Sequence, residues 1–256
     1  MKLFSLNNLS HLHDGESIFF CKKDYTDNLW RYLNNSKREN FIVISGNSDY
    51  PVTHRDIELF NRLPEFRGWY GQNMSVISDK TYGLPLGLEN SNPCNLEGHG
   101  DIIYGAKDKL CHFDLDYPNP NKLVYCNFGL STNRNRSKVL DLAKKGNHIS
   151  VESNMTLQSY YASISNHKMV ICPEGNGVDT HRFWETIYLN RVPIIIENDT
   201  MSHFYSLPVV VLDSWERILD IDYLNDKYNI VKNNSRDIAY TNFWIEKIKN
   251  HKRRIV

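Results

Sequence analysis

Residues 169–196 constrain the fold of this chain more than any other segment, because two short apolar runs flank a polar stretch that contains glycines. The runs 169–172 and 193–196 are typical of strands buried on both faces. Between them the sequence predicts a loop over 173–178 and a helix over 180–190. Strand, helix and strand in this order predict one βαβ unit of a parallel sheet.

The same alternation runs along the rest of the chain. In the first half, SIFFC, NFIVISG and GLPLGL alternate with the mixed stretches YTDNLWRYLNN, HRDIELFNRLP and DIIYGAKDKL. In the second half, KLVYCNF, HISVES and LPVVVLD alternate with helical stretches, which predicts an α/β fold with covered parallel sheets. Residues 111–122, dense in Asp, Pro and Asn, predict a linker between domains 1–118 and 119–256. The last stretch places Trp244 and Ile248 at helical spacing, which predicts a helix packed on the body.

Composition argues against several classes of protein. Lys plus Arg equals Asp plus Glu at 30 each, which gives no support for a nucleic-acid partner. The five cysteines are widely spaced and form no C-x-x-C pair, so neither a disulfide framework nor a zinc cluster is expected. The sequence has no secretory apolar region and no long apolar run, which predicts a cytoplasmic protein. The basic ending HKRRIV favours a solvated helix end, with membrane contact at most peripheral.

The loop and helix of the 169–196 segment carry the chemistry. A glycine-bearing loop allows close approach of a ligand, and the N-terminus of the following helix presents free N–H groups that favour phosphate. On a helical wheel, His181, Arg182 and Glu185 share a face that is predicted to be free to bind. A nucleoside diphosphate suits this group, with Arg182 at the diphosphate and Glu185 accepting from a ribose diol. The alternative is a solvated salt bridge between Arg182 and Glu185, which would be worth little.

The run CPEGNGVDTHRFWETIYLNRVPIII resembles the carboxy-terminal signature of the exostosin-like glycosyltransferases, and the fucosyltransferase-type enzymes carry a similar but distinct pattern. The resemblance extends to NFGLSTNRNRSKVL, and more faintly to FRGWYGQNMS and YGLPLGLEN. The family implies a GT-B fold, in which two Rossmann-like domains face a central cleft. It also implies inverting transfer of a sugar, such as xylose or another small sugar, from a UDP-linked donor to a glycan or glycoprotein.

In the family, the donor nucleotide is bound mainly by the second half and the acceptor by the first. The resemblance therefore implies that Arg182 holds the donor phosphates, that Glu185 holds the ribose, and that Arg136 or Arg134 makes a second phosphate contact. The chain departs from the family at Glu174, where an Arg or similar residue often stands, and in being much shorter than animal exostosins. The predicted donor site comprises Arg134, Arg136, Pro173, Glu174, Gly175, Asn176, Gly177, Asp179, Thr180, His181, Arg182 and Glu185.

Inverting transfer needs a general base near the acceptor hydroxyl and charge stabilisation at the leaving diphosphate. Asp49 is the candidate base, because it follows a predicted strand and ligands of open α/β sheets lie beyond the carboxyl ends of strands. The alternative is that Asp49 caps a turn before Pro51. His54 and Glu89 are weaker candidates.

Other functions fit the residues less well. The triplets that begin at Asp114 and Asp220 could hold a divalent ion, but they fall in the linker and in a late helical stretch, so no metal or other cofactor is expected. Gly175, Gly177 and the later Glu197 superficially match the fingerprint of an NAD-dependent dehydrogenase, but the third glycine is absent. A GDP-fucose-type fucosyltransferase and a non-catalytic module that binds glycans or nucleotides remain as alternatives.

Overall fold

The computed structural model describes residues 3–36, 39–88 and 119–255. The strands in this part of the chain are β1 (Ile18–Lys22), β2 (Phe41–Gly46), β3 (Phe66–Gly71), β4 (Thr81–Gly83), β5 (Lys122–Cys126), β6 (Ile149–Val151), β7 (His167–Ile171), β8 (Val192–Ile196) and β9 (Val210–Leu212). They form two sheets, with the orders β1-β2-β3-β4 and β6-β5-β7-β8-β9. Neighbouring strands are parallel throughout both sheets, so the predicted α/β class is confirmed.

Helices connect the strands and cover the sheets. The α-helices among the described residues are α1 (Thr26–Asn34), α2 (His54–Asn61), α3 (Asn135–Ala143), α4 (Leu157–Asn166), α5 (His181–Tyr188), α6 (Asp199–Ser202), α7 (Ile221–Val231) and α8 (Thr241–Ile255). Short 3-10 helices cover Leu6–Leu12, Lys23–Tyr25, Trp215–Leu219 and Asp237–Ala239. In this part of the chain no helix is long and apolar enough to cross a membrane. The segment that predicts a βαβ unit forms β7, α5 and β8, as expected.

Three apolar clusters lie against the sheets, and the largest is shared by the two halves. Because side chains alternate between the faces of a strand, β2 contributes Val43 to a cluster of the first half and Ile44 to the shared cluster. In the same way β7 contributes Met169 to a cluster of the second half and Val170 to the shared one. Trp184 of α5 lies fully buried in the shared cluster. Burial of this common apolar surface holds the two halves together.

The C-terminal helix α8 returns to the first half of the molecule. His251 Nδ1 lies 3.0 Å from the Tyr70 hydroxyl, and the Asn40 amide donates to the carbonyl of Ile255 at 2.7 Å. Trp244 and Ile248 are buried, so the predicted apolar stripe of this helix is confirmed. The predicted division assigns all of 119–256 to the second domain, whereas the contacts of α8 attach it to the first sheet. The predicted linker lies mostly outside the described residues, as does DIIYGAKDKL.

One central strand escapes sequence analysis. β3 contains two glycines, which weaken the strand pattern, and it was not predicted. Gly68 is required there by α8, because a Cβ atom would lie 2.8 Å from the imidazole of His251. The run GLPLGL was predicted as an apolar element of the sheet, but only Gly83 belongs to a strand, and residues 84–88 form an irregular connection. The missed strand therefore supplies the pairing that the sequence placed farther along the chain.

Gly87 provides a test of how tightly this connection is packed. Its φ of +67° and the backbone of Phe4, with which a Cβ atom would collide, both require glycine. Gly15 has a similar φ of +74° but no atom within 4 Å of the Cβ position. We expect Gly15→Ala to lower the free energy of unfolding by roughly 1–2 kcal/mol, the cost of left-handed backbone. Gly87→Ala should cost clearly more in urea denaturation, and equal losses would contradict this packing.

Candidate functional site

The strand order of the second sheet indicates where a ligand binds. The chain leaves β5 for β6 on one side and then crosses to β7 on the other, so the order reverses between β5 and β7. Crevices beyond the carboxyl ends of strands at such a switch point are the usual ligand sites of open α/β sheets. Residues 127–134 follow β5, and residues 172–180 follow β7 and lead into α5. The predicted donor-site residues lie in these two loops and in the first turns of α3 and α5.

Two arginines and a phenylalanine lie together at this switch point. Phe128 follows β5, Arg136 lies in the first turn of α3, and Arg182 lies in the first turn of α5. The guanidinium carbons of Arg136 and Arg182 lie 5.7 and 5.8 Å from the centroid of the Phe128 ring. The Nε atom of Arg182 is buried and has no hydrogen-bond partner among the described residues. The site therefore gathers two positive charges and retains hydrogen-bonding capacity.

Arg136 is also bound to the backbone of both loops. It donates to the carbonyl oxygens of Glu174 at 2.8 Å, Gly129 at 2.9 Å and Pro173 at 3.3 Å. Burial and, next, the positive charge of Arg182 lower its pKa to about 10. These carbonyls take only part of the guanidinium's donors. Arg136 thus fixes the loop after β7, and a phosphate contact from its remaining N–H groups stays a prediction.

Glu185 lies inside the protein, and the prediction that it occupies a free face of α5 is wrong. Its exposed fraction is 4%. The carboxylate accepts from the Tyr161 hydroxyl at 2.9 Å and from the Tyr160 hydroxyl at 3.2 Å, both on α4. The helical wheel fails because α5 is covered on more than one side, so every residue from Phe183 to Tyr188 is buried. Glu185 and Tyr160 also raise the pKa of Arg182 although burial lowers it. The ribose role of Glu185 stays a prediction.

The end of the glycine-bearing loop contacts the first half, which the sequence did not predict. The buried Asp179 carboxylate accepts from Trp184 Nε1 at 2.8 Å and from the backbone N–H of Leu86 at 2.8 Å. His181 Nδ1 lies 2.8 Å from the carbonyl oxygen of Gly87. Asp179 and His181, which were predicted to bind the donor, therefore bind the loop after β4. Their contacts join the two carboxyl edges.

The remaining predicted loop residues differ in their surroundings. A Cβ atom on Gly175 would lie 3.1 Å from Nη2 of Arg136, and one on Gly177 would lie 3.2 Å from Nδ2 of Asn73, so both glycines are needed for packing. Pro173 and Glu174 line a cavity of about 300 Å³, together with Arg136. Asn176 and Arg134 are exposed, and Thr180 is the N-cap residue of α5. A nucleotide can reach this part of the loop from the cavity side.

Asp49 lies where the sequence predicts, in the exposed loop that follows β2. The hydrogen bond of the adjoining turn comes from the Ser48 hydroxyl, which accepts from the backbone N–H of Tyr50 at 3.2 Å. Of the weaker candidates, His54 is exposed at the start of α2 and Glu89 lies outside the described residues. In the second acidic triplet, Asp220 caps α7 by accepting from the N–H of Tyr223 at 3.0 Å. The first triplet, with Asp114, lies outside the described residues.

Sequence analysis missed the residues that complete the site. Phe128 follows a strand directly, so the rule that selected Asp49 could have selected it. Tyr160 and Tyr161 are adjacent in the sequence, and only the packing of α4 on α5 turns both hydroxyls toward Glu185. Asn73 follows the strand β3, which was itself missed. Their roles depend on tertiary contacts that no local pattern indicates.

Comparisons with known proteins give likeness of fold and nothing closer. No protein-family model matches the chain, and no curated protein sequence does. An α1,3-fucosyltransferase with GDP-fucose is similar over 94% of this chain and 90% of its own, at 12% identity and a TM-score of 0.44. TarM is similar over 98% of this chain and 55% of its own, at 11% identity and a TM-score of 0.39. The E. coli heptosyltransferase WaaC with ADP is similar over 90% and 98%, at 11% identity and a TM-score of 0.30.

The two parallel sheets, with the carboxyl-end loops of one in contact with those of the other, form the GT-B-like arrangement that the sequence predicts. None of the three similar structures is an exostosin, so the exostosin resemblance remains a prediction.

The buried carboxyl of Asp179 predicts a pH dependence of stability. Burial raises its pKa from 3.8 to about 7, although its hydrogen bonds lower it. Because the folded protein binds this proton more tightly than the unfolded chain, its contribution stabilises the fold at low pH and is lost as the pH rises from about 4 to 7. We expect the difference in unfolding free energy between the parent protein and Asp179→Asn to fall by up to roughly 1 kcal/mol per pH unit. Parallel profiles in urea denaturation would contradict this assignment.

Proposed function

We propose that the protein is a metal-independent glycosyltransferase that takes a nucleoside-diphosphate sugar at the carboxyl edge of the second sheet. The observation that supports this is the pair of arginines beside Phe128 at the switch point. Like charges in a partly buried site disfavour each other, as the lowered pKa of Arg136 indicates. An anion with two phosphates would relieve that repulsion and accept from the buried Nε of Arg182.

The same charges suit the chemistry of transfer. When the bond between the sugar and the diphosphate breaks, negative charge develops on the leaving oxygen. Arginines held in place beforehand stabilise that charge without reorganisation. Arg136 is held by three backbone carbonyls, and Arg182 is held by the neighbouring Tyr160 and Glu185. The remaining requirement is a base for the acceptor hydroxyl, and Asp49 at the edge of the first sheet is the proposed group.

The sequence leaves two donor classes open, a UDP-linked sugar and GDP-fucose. One of the similar structures contains GDP-fucose, so a binding screen starts with GDP and continues with UDP. Stabilisation of the folded protein by a ligand raises its melting temperature in proportion to occupancy. The screen is run in EDTA, and NAD serves to test the dehydrogenase alternative. Stabilisation by NAD alone would contradict the proposal.

Arg182 is the residue whose loss should weaken donor binding most. The substitution Arg182→Met keeps an apolar stem and removes the charge. We expect the Kd of the nucleotide found in the screen to rise about 10- to 100-fold, the value of one or two charge-assisted hydrogen bonds. Calorimetric titration measures Kd, and thermal unfolding checks the fold. Arg31→Ala removes an exposed cation on α1 and should leave Kd unchanged; unchanged affinity in Arg182→Met as well would rule out this site.

Asp49 distinguishes a transferase from a module that only binds. Asp49→Asn keeps the shape of the loop and removes the group that accepts the proton. We expect nucleotide affinity to stay the same and the rate of sugar transfer to fall about 100-fold or more, the usual range for a general base. Transfer is measured by release of the nucleoside diphosphate in the presence of an acceptor glycan. Full turnover in this variant would assign the base elsewhere, whereas binding without any turnover in the parent protein would favour the module.

A further inference from the structure

Asn73 lies between the loop that carries Asp49 and the loop that leads to Arg182. It follows β3 directly, and its exposed fraction is 4%. Its side-chain Nδ2 donates to the carbonyl oxygen of Ser48 at 3.2 Å. Its Oδ1 accepts from the backbone N–H of Asp179 at 3.3 Å. One buried amide side chain therefore bridges the two loops, one from each half.

The backbone around Asn73 is arranged for this bridge. Its φ is +49°, in the left-handed region that asparagine tolerates better than most residues. Gly177 lies against the same amide group, and a Cβ atom there would lie 3.2 Å from Nδ2. The preceding Gln72 is buried, accepts from the N–H of Asn47 at 2.9 Å and donates to the carbonyl of Pro85 at 2.9 Å. These two side chains hold the three loops at the carboxyl edge of the first sheet.

We propose that Asn73 is a positioning residue that sets the separation between Asp49 and the donor loop; the proposal rests on the function proposed above. Both ends of the bridge are backbone groups, so a shift of either loop would break a hydrogen bond that is shielded from water. Ser48 precedes Asp49, and Asp179 precedes the first turn of α5 by one residue. Displacement of a reacting group by about 1 Å can lower a rate about 100-fold. Asn73 acts through this geometry and does not itself bind the donor.

The substitution Asn73→Gly tests the bridge, because glycine keeps the left-handed backbone and removes both side-chain hydrogen bonds. Asn190→Gly is the matched control, since Asn190 is an exposed asparagine with φ of +59° at the end of α5. We expect kcat to fall about 10- to 100-fold in Asn73→Gly with the Kd for nucleotide unchanged. Asn190→Gly should retain the parent kcat and Kd.

Amide hydrogen exchange provides a readout that does not depend on turnover. In Asn73→Gly we expect faster exchange at the backbone N–H of Asp179 and in residues 47–50, with β2 and β7 unchanged. Unchanged exchange at Asp179 would overturn the bridge itself. Parent-like kcat in Asn73→Gly, or a Kd that rises as much as kcat falls, would overturn the positioning role. Absence of transfer and of nucleotide binding in the parent protein would instead contradict the proposed function, while the exchange data would still report on the bridge.

Discussion

The apolar cluster shared by the two halves is the constraint on which the site depends. Ile44 from the first sheet and Val170 from the second lie in the same cluster, with Trp184 of α5 between them. Hydrophobic burial is non-directional, so it draws the halves together without fixing their register. The direction comes from the parallel strands, whose carboxyl ends place the loops of both sheets on the same side. The two edges meet because the core behind them is common to both.

Polar contacts at these edges then fix the register that the core leaves free. Asp179 is the clearest case, because a buried carboxylate is costly unless donors surround it. Its donors come from Trp184 in its own half and from Leu86 in the other. His181 and Asn73 add contacts across the same boundary. Residues with the chemistry of a ligand site are thus used between the halves, and the cationic part of the loop, around Arg182, is left for an anion.

The fold followed from the sequence where local pattern and tertiary packing agree. The β7-α5-β8 unit was predicted with nearly correct bounds, because its apolar runs are short, continuous and buried on both faces. β3 was missed because its glycines serve contacts with other elements, such as that of Gly68 with His251. The position of α8 was also out of reach, since an apolar stripe indicates that a helix packs but not which half receives it.

The site was predicted less completely, for a related reason. Periodicity assigned Glu185 to a free face of α5, but a helix enclosed between a sheet and α4 has little free face. The enclosure changes what the residue can do. A carboxylate that accepts from Tyr160 and Tyr161 keeps its orientation. Its charge also favours the cationic form of Arg182. An exposed pair at the same spacing would be screened by water and worth little. In a buried setting the same pair gives a fixed, charged guanidinium whose Nε has no partner, which is the state that recognition of a phosphate requires.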